Sequence, residues 1–318
     1  MLKRIQSIVA GGLLSVLSLQ AQDTIEPIAF GDMNQWIIRK IHESGIIGGQ
    51  VKTLYEIAPT KTIDGNIPYV NQGNSPWGTS NVMAKVAGIV KTNNTVYKEQ
   101  RGEGYCAKLE THIEKVKVLG LINIHVLAAG SIFLGDMTEP IRGTQEGVEA
   151  FNWGIPFTKK PKTLVYDYKV KLLPEKQRVK MTGFGGSSSV KGQDCAITYL
   201  FLQKRSEDSE GRIFAKRVGT LVVKYDLSSD GWVNGATYEI RYGDITNRPD
   251  YDPETMGLRN MDYARNSKGK NVLVKETGWA SDQEEPTHLL LQFSSSHGGA
   301  FIGTPGNTLW IDNVGLGY

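Results

Sequence analysis

Apolar and polar residues alternate over short runs along most of the chain, the period-two pattern of β-strands with one dry face. Over 163–172, Leu164, Tyr166, Tyr168, Val170 and Leu172 alternate with Val165, Asp167, Lys169 and Lys171. This predicts a strand whose tyrosine side enters the core and whose Asp167 side faces water. Leu221, Val223, Tyr225 and Leu227 alternate in the same way with Thr220, Val222, Lys224 and Asp226. Further strands are expected at 104–113, 121–128, 196–203, 238–242, 288–294 and 308–316. Helical spacing is scarce: 34–44, with Trp36, Ile37, Ile41 and a Ser44-Gly45 ending, reads equally well as a short helix or a strand. Two stretches, 59–80 and 243–286, read as long loops because they are rich in Gly, Asn, Pro and polar residues. Long ordered loops in a compact domain tend to carry function. With 36 glycines to make the turns, the pattern predicts an all-β fold, a two-sheet antiparallel β-sandwich with little helix.

The first residues follow a different rule. Lys3 and Arg4 precede a run from Ile5 to Leu19 that is apolar or small except for Gln6, Ser7, Ser15 and Ser18. This is the layout of a cleavable signal peptide, with the cut after Ala21 and the mature chain starting at Gln22. A membrane anchor needs about 20 apolar residues, and this run stops at Gln20. Gln22 and not a cysteine stands directly after the cut, so a lipoprotein is not expected. The predicted location is exported: periplasmic, associated with the outer surface, or secreted. The most apolar later stretch, 116–134, is interrupted by Lys117, Asn123 and His125 and reads as two strands. Without Lys3 and Arg4, 34 of the 36 basic residues face 33 acidic ones, and the net charge falls from +3 to +1. Nucleic acid is therefore not an expected partner. With no linker tract or internal repeat, 22–318 is expected to be one domain.

Catalytic signals are weak. The histidines His42, His112, His125, His288 and His297 are scattered, with no zinc spacing and no metal expected. Asp250 and Asp252 offer oxygens that a structural calcium could use, but EF-hand spacing is absent and a solvated acidic turn is the simpler reading. Gly185-Gly186-Ser187-Ser188-Ser189 is not a nucleophile elbow and reads as a flexible loop. Cys106 and Cys195 lie in strand-like contexts. The compartment permits a Cys106–Cys195 disulfide, but two reduced, buried cysteines are favoured. A carboxylate pair for glycoside hydrolysis could be drawn from Glu110, Asp136, Asp167, Asp194 and Asp312, although a lone strand acid is ordinarily solvated or paired with lysine. Trp77, Trp153, Trp232 and Trp279 sit beside glycine, proline or polar residues, where an indole ring can stack on a sugar or cap the core.

Several stretches together resemble the putative carbohydrate metabolism domain (PCMD) of exported Bacteroidetes proteins. They are Ser75-Pro-Trp-Gly-Thr-Ser-Asn81, Cys106-Ala-Lys-Leu-Glu-Thr111, Ala129-Gly-Ser-Ile-Phe-Leu-Gly135, Trp153-Gly-Ile-Pro-Phe157, Pro161-Lys-Thr-Leu-Val-Tyr-Asp-Tyr168 and Gly306-Asn-Thr-Leu-Trp-Ile-Asp-Asn-Val314. The resemblance runs from about Gly31 to Tyr318. It implies a β jelly-roll like those of carbohydrate-binding modules and a role in glycan handling, with no catalytic residues to carry over. Some relatives carry an immunoglobulin-like domain upstream. The chain upstream of Trp77 reads as too short for one, and the segment from Gln22 to Thr60 is expected to add strands to the same sandwich.

The functional expectation is a non-catalytic glycan-binding jelly-roll whose partner is an oligosaccharide or polysaccharide. A glycoside hydrolase using two acids in the same groove and a structural surface module are the alternatives. The expected ligand site is the wet sheet face at Asp167 and Lys169, which offers an acceptor and a donor side by side, bordered by Trp153 or Trp279.

Overall fold

The structure, a computed structural model, describes residues 24–118, 122–183 and 186–318. The expected signal segment, Leu121 and Gly185 lie outside the described residues. Two sheets dominate. A six-stranded sheet runs Val233–Glu239, Thr163–Lys171, Thr308–Gly317, Gly104–Glu110, Val96–Arg101, with Ile25–Pro27 paired to the end of Thr308–Gly317. A ten-stranded sheet is built around Ser131–Met137, His288–Ser294, Ala196–Glu207, Ile213–Tyr225 and Asn271–Trp279. The α-helices among the described residues are short, Thr144–Glu149 and Pro253–Met256.

The inner faces meet in one apolar cluster. Leu109, Leu164, Tyr166, Val170 and Ile311 come from the smaller sheet, and Leu200, Leu202, Leu291 and Phe293 from the larger. Tyr166 joins the layers: its ring lies 5.0 Å from Phe293, edge to face, and its hydroxyl bonds that of Tyr225. The result is the all-β sandwich that the alternation predicts. Among the described strands, pairing is antiparallel except for Ile213–Tyr225 beside Asn271–Trp279 and Trp36–His42 beside Lys61–Asp64, and an isolated bridge joins Ala84 and Ile141 in parallel.

Several expectations need correction. The ambiguous 34–44 segment contains a strand, Trp36–His42, because it pairs along its whole length with Val51–Ile57. These two strands and Lys61–Asp64 form a small sheet of their own, so only Ile25–Pro27 from this region joins a sandwich sheet. Trp36 and Ile57 still reach the main core. Neither long loop is structureless. The first contains Trp77–Thr79, fully buried and paired with Ser131–Met137, but too short to show a period. The second contains Tyr263–Arg265 and Asn271–Trp279; the latter escaped notice because its buried positions include Glu276 beside Val274. Leu227, expected in the core, is 82% exposed because its strand ends at Tyr225.

Candidate functional site

On the smaller sheet, Leu164, Tyr166 and Val170 point inward, so Val165, Asp167, Lys169 and Lys171 point outward. Cross-strand register extends that outer face. Lys169 lies opposite Trp310, Trp310 opposite Lys108, and Lys108 opposite Tyr97. One step along, Asp167 lies opposite Asp312, and Cys106 opposite Glu99. A bulge lies just beyond Asp312, since Val165 pairs with Gly315 rather than two residues on. Asn313 fills the bulge at φ 52°, a conformation that asparagine tolerates better than most residues. Its backbone N–H donates to Asp312 Oδ1 and its side-chain amide to Asp167 Oδ2, both at 2.8 Å.

Arg101 closes this arrangement. Its Nη1 lies 2.8 Å from Asp167 Oδ2 and 2.6 Å from Asp312 Oδ2, while Nη2 donates to Asn234 Oδ1 at 2.6 Å. The guanidinium sits over the Trp232 ring, 3.8 Å from its centre. The two carboxylates are pushed apart in acidity. For Asp167, burial is outweighed by hydrogen bonds from Asn313, the Gly235 N–H and Arg101, which hold it below the usual carboxylate range. Burial wins for Asp312, which is raised despite Arg101. Lys169 places its ammonium 4.0 Å from the Trp310 ring centre and 5.7 Å from that of Trp232, with no carboxylate partner among the described residues. Trp310 Nε1 donates to Glu99 Oε1 at 2.7 Å.

The four expected ligand residues divide. Asp167 and Lys169 share one face, as their spacing predicts, but Asp167 is not wet: it is 7% exposed, covered by Arg101 and the bulge. Trp153 and Trp279 do not border it, since both belong to the larger sheet. Trp153 stacks on Phe151 at 4.9 Å and packs against Phe133, and Trp279 lies near Tyr251 and Arg217. The tryptophans beside Asp167 and Lys169 are Trp232 and Trp310. Trp232 shares the glycine-flanked context of the other loop tryptophans, and Trp310 has the outward parity of Asp312. Arg101 carries no such signal, because its partners lie far along the chain.

The remaining sequence candidates are occupied locally. Glu110 pairs with Lys108, and Asp136 with Arg265 and Asn152. Asp194 is a buried hub for Ser296, His297 and the Thr304 N–H. Asp250 pairs with Arg241, and Asp252 caps the Pro253–Met256 helix, so these acids do not converge on a common centre. No cluster of three or more His, Cys, Asp or Glu suited to a metal occurs among the described residues. Cys106 and Cys195 are free and buried, and burial pushes both thiols up to about 12, away from nucleophilic reactivity. A further site lies at the small N-terminal sheet. There Arg39 bridges two buried carboxylates, Glu56 at 2.8 Å and Glu139 at 2.5 Å.

The model of the family described as "putative carbohydrate metabolism domain" matches residues 52–224. No curated protein matches the chain. Among solved structures, one titled as a putative glycoside hydrolase from Bacteroides vulgatus ATCC 8482 is similar at 16% identity and TM-score 0.45, over 93% of this chain and 95% of that one. A second, titled as a putative glycoside hydrolase from Bacteroides thetaiotaomicron VPI-5482, is similar at 19% identity and TM-score 0.44, over 84% and 80%. No helix among the described residues is long and apolar enough to cross a membrane.

Proposed function

Because the chain belongs to the putative carbohydrate metabolism domain family, we propose that it is an exported glycan-binding protein holding an oligosaccharide or polysaccharide segment across the outer face of its six-stranded sheet. The observation that carries this reading is the strip made by Trp232 and Lys169, with the buried Trp310 ring packed beneath the Lys169 ammonium. Half-buried Trp232 supplies a flat apolar surface, and the Lys169 ammonium beside it is a hydrogen-bond donor not committed to any carboxylate. Asp167, Asp312 and Arg101 act beneath this strip as its frame. They fix the strand register and the Trp232 ring and do not themselves meet the sugar.

Hydrolysis is the second reading, favoured by one feature: two facing carboxylates whose acidities diverge, the pattern of an acid paired with a base. Binding is preferred because both are under a tenth exposed and share Arg101, which leaves no room for a glycosidic oxygen and a water. A glycan array followed by calorimetry tests the proposal. Trp232→Ala and Lys169→Ala are expected to weaken any hit about tenfold or more, the scale of one lost charged hydrogen bond or stacking contact. If both variants bind unchanged, the ligand lies elsewhere. Release of reducing sugar from the same glycan favours the hydrolase.

A further inference from the structure

On the other sheet, the Arg259–Asp262 ion pair, Nη2 to Oδ1 at 2.9 Å, lies over the outer face. The Arg259 guanidinium is 5.0 Å from the Tyr199 ring centre and 5.5 Å from that of Phe201. Together with Trp153 and Gln292 these residues line a cleft whose free volume is about that of one water. Two buried atoms of the ion pair have no hydrogen-bond partner among the described residues: Arg259 Nε, a donor, and Asp262 Oδ2, an acceptor. Asp262 is only 5% exposed, and buried charged groups with unmet hydrogen bonds are rare in folded proteins. The loop that carries them is fixed, since the Arg259 N–H donates to Glu276 Oε2 at 2.6 Å and the Val274 N–H to the Asp262 carbonyl at 2.8 Å.

The chemistry of the missing partner follows from the two orphan atoms. It has to accept from Nε and donate to Oδ2. A carboxylate cannot donate, and an ammonium cannot accept, but a hydroxyl does both through one oxygen. The ion pair is neutral overall, which suits an uncharged ligand. Trp153, half-buried in the cleft lining and stacked on Phe151, offers a ring for an apolar face. We propose that this cleft is a second saccharide subsite, in which one hydroxyl of a neutral sugar enters between Arg259 Nε and Asp262 Oδ2 while the sugar ring packs on Trp153. The subsite lies on the opposite sheet from the Lys169 strip and stands on its own atoms.

The test is calorimetric titration of the full chain with the methyl glycosides of glucose, galactose, mannose and xylose. Asp262→Asn turns the orphan acceptor into a donor, and Arg259→Lys removes Nε while keeping the charge. Thermal melts establish that each variant is folded. At least one glycoside is expected to bind, with affinity lowered about tenfold in each variant. A crystal grown at saturating glycoside is expected to show the sugar against Trp153. Absence of binding by all four glycosides, binding unchanged in both variants, or a lone water bridging the two atoms in that crystal overturns the proposal. Binding lost in Trp232→Ala and Lys169→Ala but kept in Asp262→Asn and Arg259→Lys overturns this subsite alone. The reverse pattern overturns the strip and keeps the subsite.

Discussion

Glu56→Gln offers a quantitative test of how the small N-terminal sheet is held to the sandwich. Arg39 and Glu56 come from that sheet and Glu139 from the segment after Ser131–Met137, so one cation serves two buried carboxylates. Glu56 also accepts from Thr79 Oγ1 at 2.8 Å. Burial is the largest influence on its acidity; with repulsion from Glu139 it exceeds the opposing pull of Arg39 and raises the carboxyl from 4.5 to about 7. The folded state therefore holds this proton more tightly than the unfolded chain does. The contribution of Glu56 to stability is fully present below pH 4.5, falls as the unfolded chain ionises, and is lost as pH rises through about 7. A shift of this size corresponds to about 3 kcal/mol. Glutamine keeps the shape, still accepts from Arg39 through its amide oxygen, can donate its amide N–H to the Thr79 hydroxyl in place of accepting from it, and has no proton to lose. The stability of Glu56→Gln minus that of the wild type is thus expected to rise by about 3 kcal/mol between pH 4.5 and 7.5. Urea unfolding followed by tryptophan fluorescence at half-unit pH steps measures it, and taking the difference cancels groups remote from the site. A flat difference, or one that falls with pH, refutes the reasoning and makes Glu56 an ordinary ionised partner of Arg39.

Arg101→Met removes the one cation between Asp167 and Asp312 and is expected to cost about 3–5 kcal/mol, the usual penalty for stranding buried charge, read as a lowered denaturant midpoint. Thiol titration after denaturation without reductant should find two free thiols, and alkylation of the native protein at pH 8 should be slow; zero thiols would mean that Cys106 and Cys195 are joined. Mass spectrometry of protein from the native host is expected to find Gln22 at the N-terminus, whereas a chain retaining Met1 would sink the export proposal.

The sandwich was legible because the residues that Thr163–Lys171 and the first half of Thr308–Gly317 send into the core, Leu164, Tyr166 and Val170 and then Leu309 and Ile311, keep the two-residue period of the sequence. That parity also put Asp167 and Lys169 on one face. It could not reveal that Asp167 is covered, because the covering depends on cross-strand register and on the extra residue at Asn313. Tryptophans beside glycines look alike in sequence. Trp232 flanks the Lys169 strip while Trp153 and Trp279 land on the other sheet, a matter of topology rather than local pattern. The Asn271–Trp279 strand stayed hidden because Glu276, fully buried against Arg217 at 2.5 Å, occupies a position where a period-two reading expects an apolar residue.

The Thr308–Gly317 strand sits in the middle of its sheet, between Thr163–Lys171 and Gly104–Glu110. Those two strands come much earlier in the chain and cannot pair with each other across the gap it fills. A chain emerging from the ribosome N-terminus first therefore carries both flanks with open edges until the last of the described residues are made. Over that interval Leu109, Leu164 and Tyr166 lack the apolar neighbours that Leu309 and Ile311 supply to the core, and the unpaired edges invite pairing with other chains. Completion of this sheet thus waits until Thr308–Gly317 has been made, and until then the chain depends on whatever shields those edges.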